Sequence, residues 1–132
     1  MYLHAENDEY LLAFDVQPDG SVTGGRLFGE YAAKADTNHA DGRVREGNGA
    51  DGLVVDSDGR VYAATNAGVE VFSPTGERLG VIPLIWGTEV NRLMKPSNMV
   101  FAGPGKRWLY VTGGSSEFKI HMLSRGIEGR GK

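Results

Sequence analysis

The chain has no cysteine among its 132 residues. Disulfide bonds and thiol catalysis are therefore excluded, and the composition suits a reducing compartment. It also lacks any excess of positive charge. Fourteen Lys and Arg stand against 17 Asp and Glu, for a net charge of −3, and no basic stripe is present. Nucleic acid is not an expected partner. No apolar run reaches the ~18 residues of a transmembrane helix, so a membrane is not an expected partner either. The N-terminus has no basic region followed by an apolar one, as a secretory signal would. These absences together predict a cytoplasmic protein, although a parent chain with a signal peptide is compatible with them. Neither a Ser-His-Asp set, a phosphate loop nor zinc-ligand spacing occurs.

What is abundant is glycine, 20 residues of 132, as turn-dense sheet proteins require. Residues 51–84 show why. Leu53-Val54-Val55 reads as a short strand, and Asp56-Ser57-Asp58-Gly59 as a turn. Val61 to Ala64 forms a second strand and Asn66-Ala67-Gly68 a second turn. Val69, Val71 and Phe72 alternate with Glu70 in a third strand. Ser73-Pro74-Thr75-Gly76 turns again into an outer strand ending at Leu84. Four short strands joined by three turns form the unit of a β-propeller blade. One blade cannot bury both of its faces, so the unit is expected to repeat.

It does repeat within the chain. In residues 96–123, Met99-Val100-Phe101 matches Leu53-Val54-Val55, and Trp108 to Val111 matches Arg60 to Ala63. Tyr62 and Tyr110 stand 48 residues apart, a blade-scale period. The N-terminal 30 residues give a partial copy that lacks its innermost strand. The predicted fold is thus all-β, a propeller with about three partial blades: an incomplete blade over 1–30, then blades over 50–84 and 96–123. Residues 31–49 and 85–95 read as connections, the second of them with Trp86 and Met94 as candidates to cover a sheet edge. Residues 124–132 read as a basic, disordered tail. A closed ring of about six blades needs roughly twice this length. The expectation is therefore either the C-terminal half of a longer protein or copies that associate to close the circle.

The ordered combination ADGLVVDSDGRVYAA, GVEVFSPTGERLGVIPL and PSNMVFAGPGKRWLYVTGG resembles the senescence marker protein/gluconolactonase/luciferin-regenerating-enzyme-like family. The resemblance runs through residues 1–123 and corresponds to the family's C-terminal half. It implies a six-bladed propeller and metal-dependent hydrolysis of a sugar lactone or related cyclic ester. It also implies one divalent cation in the central channel, Ca²⁺ first, with Zn²⁺, Mn²⁺ or Mg²⁺ as alternatives. The family holds that cation with a Glu, an Asn and an Asp from different blades. Only the Asp falls in this chain, as Asp51, which is the implied metal ligand and catalytic base. The proline before that Asp in the family is Ala50 here.

On residue chemistry alone, Asp-Gly before a strand is more often a turn, and one carboxylate does not complete a Ca²⁺ shell. Asn98 stands where Asp51 stands in its blade and is a candidate to line the channel, as are Glu6 and Asn7 after the first strand. His4 and His121 read as structural. His39 with Asp36 and Asp41 reads as a solvated loop, and Asp56 and Asp58 as turn residues. The competing functional classes are a non-catalytic binding or scaffold propeller and an inactive truncated fragment. A small lactone would be the partner of the first class, and a missing N-terminal half or a second copy would complete the ring.

Overall fold

The computed structural model describes residues 1–3, 9–32, 47–85 and 94–129. Among them, three antiparallel sheets carry nearly all the regular structure. The first orders β1 (Tyr2–Leu3), β2 (Tyr10–Val16) and β3 (Val22–Glu30) side by side. The second runs β4 (Leu53–Val55), β5 (Val61–Thr65), β6 (Gly68–Phe72) and β7 (Arg78–Ile82), again in sequence order. The third holds β8 (Asn98–Ala102), β9 (Trp108–Gly113) and β10 (Ser116–His121). This up-and-down meander is the blade arrangement that the turn spacing predicts. His4, His39, Asp36, Asp41 and Trp86 lie outside the described residues.

The second sheet is packed on both faces. Every residue of β5 is buried. Side chains alternate across a strand, so β5 divides its residues between two cores. Val61 and Ala63 join Leu11, Tyr31, Ala50 and Phe72 against the first sheet. Tyr62 and Ala64 join Val69, Met99, Phe101, Leu109 and Val111 against the third. Aromatic pairs span both contacts: Tyr31 meets Phe72 edge-on at 5.6 Å, and Tyr62 meets Phe101 at 5.3 Å. Met94 packs into the second of these cores.

Burial on both faces also explains Glu70, which a simple alternation would place in solvent. Its side chain is fully buried. One carboxylate oxygen accepts the Ala32 amide at 3.0 Å and lies 3.8 Å from Arg78 Nε. Glu70 thereby fastens the segment leaving β3 to the middle sheet.

The tail differs from expectation. Residues 124–129 are folded back on the protein, not disordered. Ser57 N–H donates to the Arg125 carbonyl at 2.8 Å, and Asp56 forms a β-bridge with Gly126. Gly126 N–H reaches the Lys106 carbonyl at 2.9 Å, and Lys106 Nζ reaches the Ile127 carbonyl at 2.9 Å. Gly126 is buried so close to Phe101 that a Cβ there would lie 2.5 Å from the Phe101 Cβ. Close approach of two backbones, which only glycine permits, turns a basic, polar sequence into a packed segment.

Burial raises the pKa of Tyr31, with the Glu70 charge adding to it. Burial likewise raises that of Tyr62. A tyrosine whose folded pKa exceeds its unfolded value stabilises the fold fully below the unfolded pKa. That contribution is lost as pH rises above 10, the ordinary tyrosine value, towards the folded one. Melting temperature is therefore expected to be flat from pH 7 to 9 and to fall above pH 10. Thermal melts of wild type and Tyr31→Phe check this, since the variant should lose part of the alkaline slope.

Candidate functional site

The segment before β4 continues the ladder with β5. Asp51 N–H donates to the Ala64 carbonyl at 3.1 Å, and Ala64 N–H returns a bond to the Gly52 carbonyl at 2.9 Å. One step earlier, Asn66 N–H donates to the Asn48 carbonyl at 2.8 Å, and Asn48 Oδ1 accepts the Ala50 amide at 2.7 Å. Asp51 is therefore held in extended backbone at the start of the first strand of the middle sheet. The Asp-Gly pair is not a reverse turn here. The Asp51 residue is exposed.

Gly52 sets what lies beside it. Its N–H donates across the sheet boundary to the Ser97 carbonyl at 2.8 Å. A Cβ at position 52 would stand 2.5 Å from Asn98 Oδ1, 2.8 Å from Asn98 Cα and 2.9 Å from the Ser97 carbonyl oxygen. No side chain larger than hydrogen fits, so glycine allows the leading ends of β4 and β8 to touch. The structure thus brings Gly52 against Asn98, and it makes Ser97 rather than Asn98 the counterpart of Asp51, since Ser97 N–H donates to the Thr112 carbonyl as Asp51 N–H donates to that of Ala64.

Around Asn98 the groups are neutral oxygens. Asn98 Oδ1 accepts the Met99 amide at 2.8 Å, and the Asn98 carbonyl accepts the Thr112 hydroxyl at 3.3 Å. The Ser97 and Thr112 hydroxyls are 3.1 Å apart. Asn98 offers an amide oxygen and Ser97 and Thr112 offer hydroxyls, while the exposed Asp51 carboxylate lies one residue before Gly52; all are hard oxygen donors. Such donors match a hard cation such as Ca²⁺, which takes six to eight oxygens. They make up part of a shell. Among the described residues, no three Asp, Glu or His side chains gather as a metal cluster. Glu6 and Asn7, the other predicted channel residues, lie outside the described residues.

Sequence reasoning had no role for Ser97 or Thr112. Their signal is weak: each is a small hydroxyl residue, one preceding a strand and one near the end of the next. It read Asp56 as a turn residue. In the structure Asp56 is fully buried and saturated, as its Oδ1 accepts the Asp58 and Arg60 amides at 2.9 Å each. Its Oδ2 accepts Arg60 Nη1 at 2.9 Å and the Tyr62 hydroxyl at 3.0 Å. That carboxylate is structural. His121 is exposed and stacks on Trp108 at 4.6 Å. A hollow of about 680 Å³ opens between the sheets, lined mainly by apolar residues including Tyr2, Val54, Val100 and Phe101. Neither Asp51 nor Asn98 lines it.

No helix among the described residues is long and apolar enough to cross a membrane. None of the curated proteins matches the chain. A solved structure of a luciferin-regenerating enzyme is similar in fold, with a TM-score of 0.66 at 16% identity. That similarity covers 96% of this chain and 42% of the other. A second solved structure, provisionally described as a gluconolactonase, gives a TM-score of 0.51 at 24% identity, covering 90% of this chain and 47% of its own. The chain thus spans less than half the length of either solved protein. Both likenesses identify the architecture as that of a β-propeller. Residues 1–115 match the family described as the SMP-30/Gluconolactonase/LRE-like region. With that match over most of its length, and with its sheets in blade meanders, the chain belongs to the SMP-30/gluconolactonase/LRE-like family.

Proposed function

We propose that this chain supplies one wall of a metal-dependent centre that hydrolyses a sugar lactone or related cyclic ester within a complete propeller. The observation that carries the reading is the Gly52 approach. It sets Gly52, the neighbour of the exposed Asp51, against Ser97 and Asn98, in a chain of the gluconolactonase-like family.

In this reading Asp51 and the Asn98 amide would hold a divalent cation, with Ca²⁺ the first choice for oxygen donors. When bound, such a cation polarises the lactone carbonyl and lowers the pKa of attacking water. The chain's own contribution is positional. The two bonds between Asp51–Gly52 and Ala64 fix the backbone of the carboxylate. Asp51 then accepts a proton from water as that water attacks. In this reading the Ser97 and Thr112 hydroxyls would orient the ring oxygens of a sugar.

The test is lactone hydrolysis with added Ca²⁺, Mn²⁺ or Zn²⁺, together with calorimetric titration of each metal. Asp51→Ala is expected to abolish metal binding and to lower turnover by ~100-fold or more, the scale of losing a positioned base. Its stability should stay within about 0.5 kcal/mol of wild type, because the residue is exposed. Metal binding unchanged in Asp51→Ala would overturn the assignment. A chain that binds lactones but never turns them over, with or without metal, would make it a binding module.

A further inference from the structure

The packing between sheets follows a rule that the outer sheets leave unfinished. In the middle sheet, Val54, Tyr62 and Val71 are cross-strand partners in one row. That row packs on the third sheet, against a core containing Met99, Phe101, Leu109 and Val111. In the third sheet the equivalent row is Val100, Tyr110 and Lys119, again cross-strand partners. It lies on the face opposite the Met99, Phe101, Leu109 and Val111 core, with Val100 at its inner end also lining the hollow beside Val54. Val100 is 53% exposed there. Lys119 Nζ lies 4.3 Å from the Trp108 ring and 5.6 Å from the Tyr110 ring. The aromatic face that should receive a following sheet has none among the described residues.

The first sheet carries the complementary vacancy. Its inward residues, Tyr2, Leu11 and Phe28, pack towards the middle sheet. On the opposite face Leu3, Leu12 and Leu27 form a row in register. Leu3 is 49% exposed and Leu27 66%. This row corresponds to Val61, Phe72 and Arg78, also cross-strand partners, by which the middle sheet meets the first. An apolar row of this kind, with its two outer members about half or more in solvent and Leu12 partly exposed between them, marks an interaction surface.

We infer that the leucine face of one copy packs on the Val100–Tyr110–Trp108 face of a second copy, and the reverse, so that two chains close one head-to-tail ring. A heterologous interface closes into a ring when the rotation per copy fits. Three sheets among the described residues of each copy, and a sequence spanning 42% to 47% of two propeller-fold proteins, fit that condition with two copies. The contact of the middle sheet with the third supplies the template, for it joins the Val54–Tyr62–Val71 row to an apolar face. The inference does not depend on the lactonase reading, though a two-fold ring would place two Asp51 edges around one axis.

The test measures solution mass by sedimentation or light scattering at about 1 to 100 µM. Wild type should run at twice its 14.2 kDa chain mass. Leu27→Glu and Val100→Glu each place an unpaired charge in both interfaces of the ring. Each should weaken association by about 100-fold or more and run at chain mass. Both positions are exposed, so circular dichroism should show each variant folded. An equimolar mixture of the two variants retains one untouched interface per pair, and a 1:1 species at twice the chain mass should return. Wild type at chain mass up to 100 µM would overturn the inference and assign both faces to further sheets of a longer polypeptide. Dimers unaffected by either substitution, a mixture that stays at chain mass, or open polymers would overturn it as well.

Discussion

Asp56→Ala is expected to destabilise the chain by about 3–5 kcal/mol, the range for removing one partner from a buried charge network. The carboxylate has no exposure, and two backbone amides, one guanidinium and one phenol donate to it. Deleting it unties the turn that joins β4 to β5. It also leaves the Tyr62 hydroxyl with only Ser124, 3.0 Å away. For a domain of this size the drop should exceed about 10 °C in melting temperature. Tyr62→Phe removes one donor and leaves the others, so it should cost about 1 kcal/mol. Urea unfolding of both variants separates the two effects. Equal losses would show that the carboxylate matters only as a partner for the tyrosine.

Gly76→Ala is expected to cost about 3 kcal/mol or more, as backbone strain and overpacking add. Gly76 closes the turn between β6 and β7, with its N–H on the Ser73 carbonyl at 3.0 Å. Its φ is +91°, and a Cβ there would overlap the backbone carbonyl oxygen of Phe28 in β3. That neighbour is main chain in the adjoining sheet and has no rotamer to yield. Gly20 provides the comparison. It has a φ of +86°, but nothing lies within 4 Å of the place a methyl group would take. Gly20→Ala should therefore cost only the left-handed backbone term of about 1–2 kcal/mol. The difference between the two urea midpoints measures the steric contact between the first and middle sheets.

The strands of the middle sheet were readable because their turns announce themselves. Asp56 to Gly59 and Ser73 to Gly76 bound short apolar segments, and the period from Tyr62 to Tyr110 located the third sheet. The same local signs misplace individual residues. Asp-Ser-Asp-Gly looks like a surface bend, yet Asp56 is buried because residues 124–126 cover it. That cover comes from a distant stretch of polar sequence with no hydrophobic pattern. Glu70 sits where alternation points outward, but the middle sheet has a neighbour on each side and no outward face. The Asp51–Gly52 pair reads as a turn, and its extended course depends on Ser97 in another sheet. In each case the missing information is a contact between segments far apart in sequence.

The clasp between residues 124–126 and the middle sheet bears on how the protein is made. Ser124 and Tyr62 are 62 residues apart. During synthesis the middle sheet emerges long before its clasp does. Until then the Tyr62 hydroxyl lacks Ser124, and the Ser57 amide lacks the Arg125 carbonyl. Contacts of such sequence separation form late and slowly. The nascent chain therefore holds a half-finished middle sheet until residue 126 clears the ribosome, and a stall before that point leaves a species with an open core.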